Sequence, residues 1–275
     1  MHESPATCLN CAAPLSPDYT YCPACSQRTR LHRLSLHEIA HEAWHYFTHA
    51  DRSILSLVRN LATRTGAVAR RYVDGRRKAT FPPLNFFLIV GTLFVLVAST
   101  IAPKPSFDVL KAHPEVAAIT DSVKQAKYIM VYERQHRVIT FMSKYSNVVS
   151  MVAVPLTTLL FWLFYRKGRY NYAEHLVAGL FMVGFTNLVY ALLMVPVAAL
   201  LGVRLGGSGS LPLVSLHLCL QVAYGAVFYY YFINRRGAGA ACKAAFVSLA
   251  ATAFWFFLSG TAIGIYIATG FKALR

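Results

Sequence analysis

Two stretches near the start of the chain contain residues of the types that bind metal ions. The later stretch, HEIAHEAWHYFTH at 37–49, contains the H-E-x-x-H pattern of zinc proteases twice, and the two copies overlap. Its candidate ligands are His37, His41, His45 and His49, and the glutamates of the two patterns are Glu38 and Glu42. On a helix the four histidines follow one another at intervals of four and share one polar face. Histidines at this spacing can share a metal ion.

The sequence leaves three interpretations of this histidine stripe open. An interfacial or core-packing amphipathic helix is favoured, because apolar residues such as Trp44 and Phe47 cover the opposite face. A second metal site or a proton-sensing site comes next. A zinc protease is the least favoured, since Ser35 and Glu38 fit a capping box and no downstream carboxylate stands in a recognisable third-ligand motif. We therefore predict no catalytic residues.

Two C-x-x-C pairs precede the stripe and give a stronger signal. Ten residues separate Cys8 and Cys11 from Cys22 and Cys25. Four thiolates at this spacing are typical of a ribbon around one tetrahedral zinc ion, and such a closed site is structural rather than catalytic. An iron–sulfur site or a redox pair is the alternative. We predict a zinc ribbon over 1–27 that folds with its metal and serves as a docking module or a sensor.

The elements that position these residues follow from composition. Of the 275 residues, 56% are apolar and 14% are charged, which is too apolar for an ordinary soluble domain. Five apolar stretches each approach the roughly 20 residues that a helix needs to cross a bilayer. They lie at about 83–102, 147–165, 176–201, 211–233 and 244–268. The predicted fold class is an all-α polytopic membrane protein with a small N-terminal zinc ribbon.

The net charge of +16 is distributed as the positive-inside rule describes. Residues 28–78 contain 11 Lys and Arg against four acids, and the loops 166–174 and 234–243 are also basic. We therefore place the N-terminus and both loops in the cytoplasm, and the C-terminus and the loop 103–146 outside. Within that outer loop, a helix is predicted to begin at Pro114 and to continue towards the second span.

The basic run before the first span is predicted to contact lipid headgroups, with nucleic acid as the minor alternative. Its members are Arg70, Arg71, Arg76, Arg77 and Lys78. The first 80 residues lack an apolar core of the length that a signal peptide needs, so no signal peptide is expected.

Polar residues in or near the third and fourth spans form a candidate intramembrane site. They are Glu174, His175, Asn187, His217 and Gln221. The last two are four residues apart and share a helix face. Hydrogen bonding between helices is the favoured interpretation, together with a capping box from Asn171 to Glu174. A path for a solute or a proton is the alternative.

The order of these features resembles an uncharacterised bacterial inner-membrane family that has an N-terminal zinc ribbon. The matching residues are Cys8, Cys11, Cys22, Cys25, Asp51, Arg52, Thr63, Arg64, Gly66, Tyr72, Gly75, Arg76 and Arg77. The resemblance covers about 8–100 and departs from the family at Thr65, where proline is frequent. Because that family has no established activity, the resemblance implies an architecture and a location, and no reaction.

The sequence thus predicts a zinc ribbon (1–27), a segment of amphipathic helices and basic residues (28–80), and a transmembrane bundle (81–275). The favoured function is a non-enzymatic scaffold, adaptor or sensor of the bacterial inner membrane. Its expected partners are the lipid bilayer and a cytoplasmic protein bound through the ribbon, and nucleic acid is not expected. Transport of a small solute through the bundle is the first alternative, and a membrane zinc protease using the HEIAH sequence is the second.

Overall fold

The computed structural model describes residues 7–31, 33–37, 39, 53–102, 107–204 and 209–270. Within these residues the regular secondary structure is helical, and no strand is present. Two isolated β-bridges occur in the cysteine module, the name used here for residues 7–31. They pair Thr7 with Pro14 and Tyr21 with Arg28.

Two short helices lead to the first span. They are α1 (Ser53–Arg64) and α2 (Ala67–Val73). Leu57 and Leu61 lie one turn apart on α1 and are both buried, as expected for an amphipathic helix. Between the two helices, a Cβ on Gly66 would lie 1.8 Å from the backbone oxygen of Phe228. Glycine is therefore needed for α2 to pack this closely on the fourth span.

Five helices are long and apolar enough to cross a membrane, which confirms the predicted architecture. The candidate spans are Pro83–Ile101, Ser146–Tyr165, Tyr172–Leu200, Ser210–Ile233 and Ala238–Thr269. From the first span onward the helices are α3 (Pro83–Ala98), α4 (Val109–Ala112), α5 (Pro114–Ala117), α6 (Ser122–Lys144), α7 (Ser146–Tyr165), α8 (Tyr172–Val189), α9 (Val195–Leu200), α10 (Ser210–Ile233) and α11 (Ala238–Thr269).

The third and fifth spans begin earlier than the hydropathy pattern predicts. The third begins at Tyr172, because Asn171 and Glu174 form a capping box that uses both polar side chains at the helix start. The fifth begins at Ala238 and contains Lys243, whose Nζ donates to the Phe164 carbonyl at 2.9 Å. Polar side chains with such partners can lie within a span's first turns.

The third span lies at the centre of the bundle. In its most apolar window 72% of the residues are buried, against 11–39% in the other four spans. A π-helical turn, Tyr190–Met194, interrupts it between α8 and α9. Pro196 follows and has no amide to donate to the preceding turn, so the regular hydrogen-bond pattern cannot continue there. The Tyr190 ring stacks on Phe94 of the first span, with 5.3 Å between centroids.

The segment between the first two spans is helical but not continuous. A helix does begin at Pro114, as predicted, and then stops at Ala117. A separate helix, α6, begins after Asp121, whose side chain accepts from the amides of Val123 and Lys124 at 2.9 and 3.2 Å. An aspartate at this position caps a new helix start, which the continuous pattern concealed.

The helices α6 and α11 meet at the end of the bundle opposite the cysteine module. With 32 residues α11 is about 48 Å long, since a helix rises about 1.5 Å per residue. A hydrocarbon core of about 30 Å cannot cover that length. The helix α6 packs beside α11, and Nη1 of Arg134 donates to the Ile267 carbonyl at 2.6 Å. Arg134 thus satisfies a carbonyl in the last turn of α11.

Candidate metal centre and the basic end of the bundle

The four N-terminal cysteines come together in one cluster. The sulfur atoms of Cys8, Cys11, Cys22 and Cys25 all lie within 4.8 Å of one another. The sulfurs of Cys8 and Cys25 are 3.6 Å apart, and those of Cys11 and Cys22 are 3.7 Å apart. These distances are far longer than a disulfide bond of about 2.05 Å. The cluster is therefore a set of four thiols that could hold a metal ion.

The backbone builds the cluster from two matching loops. In the first loop the Cys8 amide donates to the Ala13 carbonyl and the Ala12 amide donates to the Cys8 carbonyl, both at 2.8 Å. The second repeats this pattern 14 positions later, between Cys22 and the pair Ser26 and Gln27. Ala12 and Ser26 both have positive φ, 61° and 56°. The two C-x-x-C pairs therefore lie in loops with the same backbone hydrogen bonds.

Two of the sulfur–sulfur distances, 3.6 and 3.7 Å, match those of a tetrahedral metal site. With metal–sulfur bonds of about 2.3 Å, tetrahedral zinc places its sulfur ligands about 3.8 Å apart. The environment of Cys25 also changes the pKa of its thiol. Desolvation raises its pKa, but hydrogen bonds from the Gln27 backbone, the Asn10 side chain and other cluster thiols outweigh that effect and lower it to about 7. A lowered thiol pKa favours the thiolate form that binds metal.

The Gln27 side chain binds the cysteine module to the turn before the first span. Gln27, two residues after the last cysteine, is buried, and its Nε2 donates to the Gly75 carbonyl at 2.7 Å. Its Oε1 accepts from the backbone amides of Arg77 and Lys78 at 3.2 and 3.3 Å. Both ends of one amide side chain are therefore occupied by the backbone of this turn.

Further contacts surround these three hydrogen bonds of the Gln27 side chain, which are called the Gln27 bridge below. The side chain of Asn10 accepts from the Ala79 amide at 3.0 Å. Gly75 has a φ of 113°, and a Cβ there would lie 2.8 Å from Leu9 and 3.2 Å from Leu31. A side chain at position 75 would thus be strained and would collide with the module. Sequence reasoning missed Asn10 and Gln27, although a polar residue directly after a metal knuckle is a usable signal.

A second set of contacts joins the residues just after the module, Arg33 and Leu34, to the start of the third span. Arg33 binds Glu174 with two nitrogens, Nη2 to Oε2 at 2.7 Å and Nε to Oε1 at 3.2 Å. Glu174 is buried, and its charge and hydrogen bonds raise the pKa of the Arg33 guanidinium. The side chain of Asn171 also donates to the Leu34 carbonyl at 3.1 Å. Glu174 therefore combines its predicted capping role with an ion pair that the sequence did not reveal.

The predicted histidine stripe lies mostly outside the described residues. His41, His45 and His49, together with Glu38 and Glu42, belong to the part of the chain that the structure does not describe. His37 is described, and its side chain is exposed.

The residues predicted to contact headgroups also make contacts within the protein. Arg70 donates to the Tyr231 carbonyl at 2.9 Å, and the backbone of Arg77 and Lys78 binds Gln27. Arg71 is exposed and close to other arginines. Desolvation, and then repulsion from Arg64 and its other neighbours, lowers the pKa of Arg71. The run therefore has an internal structural role besides the one predicted for it.

The candidate intramembrane residues separate into two groups. Asn187, His217 and Gln221 line a cavity of about 190 Å³ between the spans. There the Gln221 amide nitrogen lies 3.0 Å from Nε2 of His217, and the Tyr190 ring lies 4.4 Å from the His217 ring. Glu174 and His175 lie instead at the end of the bundle that carries the cysteine module. The structure thus brings together three of the five predicted residues.

Comparison with known protein families finds a match, and it covers the segment on which the cysteine module docks. The sequence model of one family matches residues 51–95. It is described as a protein of unknown function (DUF3667). No curated protein matches the chain, and neither does any solved structure. The matched residues include Gly66, which packs on the fourth span, and Gly75, which receives Gln27. The four cysteines lie outside the match.

Proposed function

We propose that this chain is a non-enzymatic protein of the bacterial inner membrane, in which a structural zinc ribbon docks on the membrane bundle and presents a surface to a cytoplasmic protein. In this role it acts as a scaffold, adaptor or sensor. The observation that carries the proposal is the Gln27 bridge. It places the metal-binding module against the turn at 75–78, directly before the first span.

Gln27 takes part both in the loop that positions two of the cysteines and in the docking of the module. The Gln27 carbonyl accepts from the Cys22 amide and closes the second metal loop, while the Gln27 side chain holds the turn. A module of about 25 residues has too little core to fold alone and depends on its metal. Loss of zinc should therefore release the module from the bundle, which makes docking sensitive to metal.

Two features favour an adaptor over an enzyme. A metal ion with four thiolate ligands has no open coordination position for a substrate or a reactive water. The module also exposes aromatic side chains away from the bundle contact, since Tyr19 and Tyr21 are 46% and 59% exposed. Exposed tyrosines are common anchors of protein interfaces. The partner surface that we propose is centred on these two residues.

The cytoplasmic location of the module rests on charge. Arg33, two residues after the module, donates to the Arg169 carbonyl in the loop 166–171, and Arg70 of α2 donates to the Tyr231 carbonyl near the end of α10. The turn that binds the module directly follows α2, so these elements lie at one end of the bundle. This end has the basic residues, and the positive-inside rule places such an end in the cytoplasm. The C-terminus then lies outside.

The transporter alternative has less support. The 190 Å³ cavity has a mostly apolar lining, and its hydroxyls bind carbonyls of the bundle: Thr186 donates to Val183 of its own helix at 3.1 Å, and Ser248 donates to Val222 of the fourth span at 2.9 Å. The Ser248 bond joins the fifth span to the fourth, which is typical of contacts between helices. Of the residues that the protease alternative needs, His37 is described, whereas Glu38 and His41 lie outside the described residues.

The metal part of the proposal is tested by the zinc content of the purified chain. We expect one zinc per chain in the wild type and none in Cys22→Ser/Cys25→Ser. The matched control is Cys219→Ser/Cys242→Ser, because both of these cysteines are exposed and lie outside the cluster. Zinc retained in the cluster variant would sink the ribbon proposal, and so would a wild-type protein that purifies with iron.

The adaptor part is tested by crosslinking in intact cells followed by mass spectrometry. Tyr19→Ala/Tyr21→Ala should keep its zinc and lose the crosslinks formed by the module. Tyr128→Ala is the control, since Tyr128 is 43% exposed on α6. Module crosslinks to another protein that persist in the double variant would argue against this partner surface.

A further inference from the structure

A cavity at the basic end of the bundle contains an excess of positive charge. It has a volume of about 400 Å³ and lies between the loop joining the second and third spans and the loop joining the fourth and fifth. Its cationic lining residues are Arg166, Lys167, Arg169, Arg235 and Lys243, and none of its lining residues is a carboxylate. A volume of this size is within the range of about 300–1,000 Å³ typical of ligand sites.

Two of the five cations have partners within the protein. Arg169 is hydrogen-bonded to Asp74, and its guanidinium lies 4.7 Å from the Tyr170 ring. Lys243 donates to the Phe164 carbonyl and lies 4.7 Å from the Tyr165 ring. These contacts fix the walls of the cavity and leave the remaining charges to be balanced by another species.

The other three cations have no counter-charge in the described chain. The side chains of Arg166, Lys167 and Arg235 make no hydrogen bond or ion pair with any residue that the structure describes, and all three are exposed. Like charges around one cavity repel each other, and an anion between them offsets that repulsion by its attraction to each cation. The cavity is therefore suited to a ligand with at least one negative charge.

A buried histidine gives a second, independent indication of a ligand. His175 lines the cavity and is completely buried. Its Nδ1 lies 3.4 Å from the Tyr229 hydroxyl, whereas its Nε2 has no hydrogen-bond partner among the described residues. A buried polar atom without a partner is uncommon in folded proteins and indicates a bound ligand or water nearby.

The position of the cavity indicates the form of that ligand. The cavity lies where two apolar helices end, since the second span ends at Tyr165 and the fourth span ends at Ile233. Below the charged loops, Leu163 and Phe164 line the cavity and are 43% and 42% exposed. A charged rim directly above an exposed apolar wall matches a phosphate headgroup with its acyl chains.

We propose that this cavity binds a phosphate-bearing anion through Arg166, Lys167 and Arg235, and that this anion is the headgroup of an anionic phospholipid. Guanidinium and ammonium groups form charge-assisted hydrogen bonds with phosphate oxygens. Basic cavities between transmembrane helices on the cytoplasmic side recognise lipid headgroups by this chemistry. The proposal requires neither the zinc ribbon nor a protein partner.

The test is native mass spectrometry of the detergent-solubilised protein titrated with phosphatidylglycerol or with phosphatidylcholine. The variant is Arg166→Gln/Arg235→Gln, which removes two unpartnered cations and keeps most of their length. The matched control is Arg236→Gln/Arg59→Gln, since these arginines are exposed and lie outside the cavity. Equal zinc content and equal thermal unfolding of variant and control in detergent exclude a folding defect.

We expect wild type and control to bind one phosphatidylglycerol in preference to phosphatidylcholine. The cavity variant should bind it about 30-fold more weakly, which corresponds to about 2 kcal/mol for two cations. Competition by inorganic phosphate at equal potency would support the site but assign it to free phosphate instead of lipid. Equal phosphatidylglycerol binding by the cavity variant and the control would overturn the proposal, as would equal affinity for both lipids.

Discussion

At the scale of single residues, Gln27 connects the metal site to the membrane bundle. Its side chain holds three backbone groups of one turn, at Gly75, Arg77 and Lys78. An amide is suited to this task because it donates and accepts at once, which neither a carboxylate nor an ammonium group can do. The contact is buried, so water cannot replace the lost bonds without entering the interface.

We predict that Gln27→Ala loosens the module without removing its metal. Loss of the side chain leaves the Gly75 carbonyl and two amides unsatisfied, which should cost about 1–3 kcal/mol of docking free energy. Hydrogen exchange in detergent should then be faster at 75–79, while zinc content stays at the wild-type level. Gln135→Ala is the control, because Gln135 is exposed. Unchanged exchange at 75–79 would show that the bridge is not needed for docking.

Some residue contacts could be predicted from the sequence, and others could not. The cysteine cluster was predictable because all four cysteines lie within 18 residues and their spacing reflects the two loops. The Gln27 and Arg33 contacts were not, because they join residues 50 and 141 positions apart in the chain. No local pattern contains information about contacts at such separations.

At the scale of elements, the contact between α2 and α10 depends on the absence of a side chain at Gly66. The backbone of α10 occupies the space that a Cβ would need. The hydroxyl of Tyr224 on α10 also donates to the Leu61 carbonyl of α1 at 3.0 Å. The two short helices are therefore fixed to the fourth span by backbone contacts as well as by apolar packing.

We predict that Gly66→Ala destabilises the protein strongly. The added methyl group would overlap the Phe228 oxygen, so one element must move, at a cost of about 3 kcal/mol. The control is Gly264→Ala on α11, where nothing lies within 4 Å of the added Cβ. Alanine in that helical position should be neutral or slightly stabilising. Thermal unfolding in detergent followed by circular dichroism measures both, and equal melting temperatures would contradict the proposed packing role.

The elements themselves were largely predictable from hydropathy. All five spans occur close to the predicted positions, because a helix that crosses a bilayer needs a minimum apolar length. The differences arise where a polar residue has a specific partner. Lys243 lies within the fifth span because the Phe164 carbonyl accepts from it, and Asp121 divides the predicted outer helix because it caps α6. A hydropathy pattern does not distinguish such partnered residues from helix ends.

At the scale of the whole molecule, the two ends of the bundle differ in chemistry. One end has the cysteine module, the basic cavity and the ion pair between Arg33 and Glu174. The other has α4 to α6, where Phe107 stacks on His136 at 4.2 Å and His113 on Tyr132 at 3.8 Å. This asymmetry is the basis of the orientation that we propose.

We predict that these two ends lie on opposite sides of the membrane. In a Cys219→Ser/Cys242→Ser background, a membrane-impermeant maleimide added to intact spheroplasts should label Lys111→Cys and not Arg236→Cys. The latter should react only after permeabilisation. Lys111 is 87% exposed and Arg236 is also exposed, so accessibility within the protein does not limit either reaction. The reverse pattern would invert the proposed orientation.

Because the cysteine module docks on later parts of the chain, it cannot dock until those parts have been synthesised. The module leaves the ribosome before the elements on which it docks, since Arg77 follows Gln27 by 50 residues and Glu174 follows Arg33 by 141 residues. At about 5–20 residues per second, the first interval lasts about 3–10 s and the second about 7–28 s. The cysteines are therefore exposed to the cell's metal pool before any docking surface exists. We therefore expect zinc shortage to affect newly made chains first, because their cysteines meet the metal pool before the module is docked.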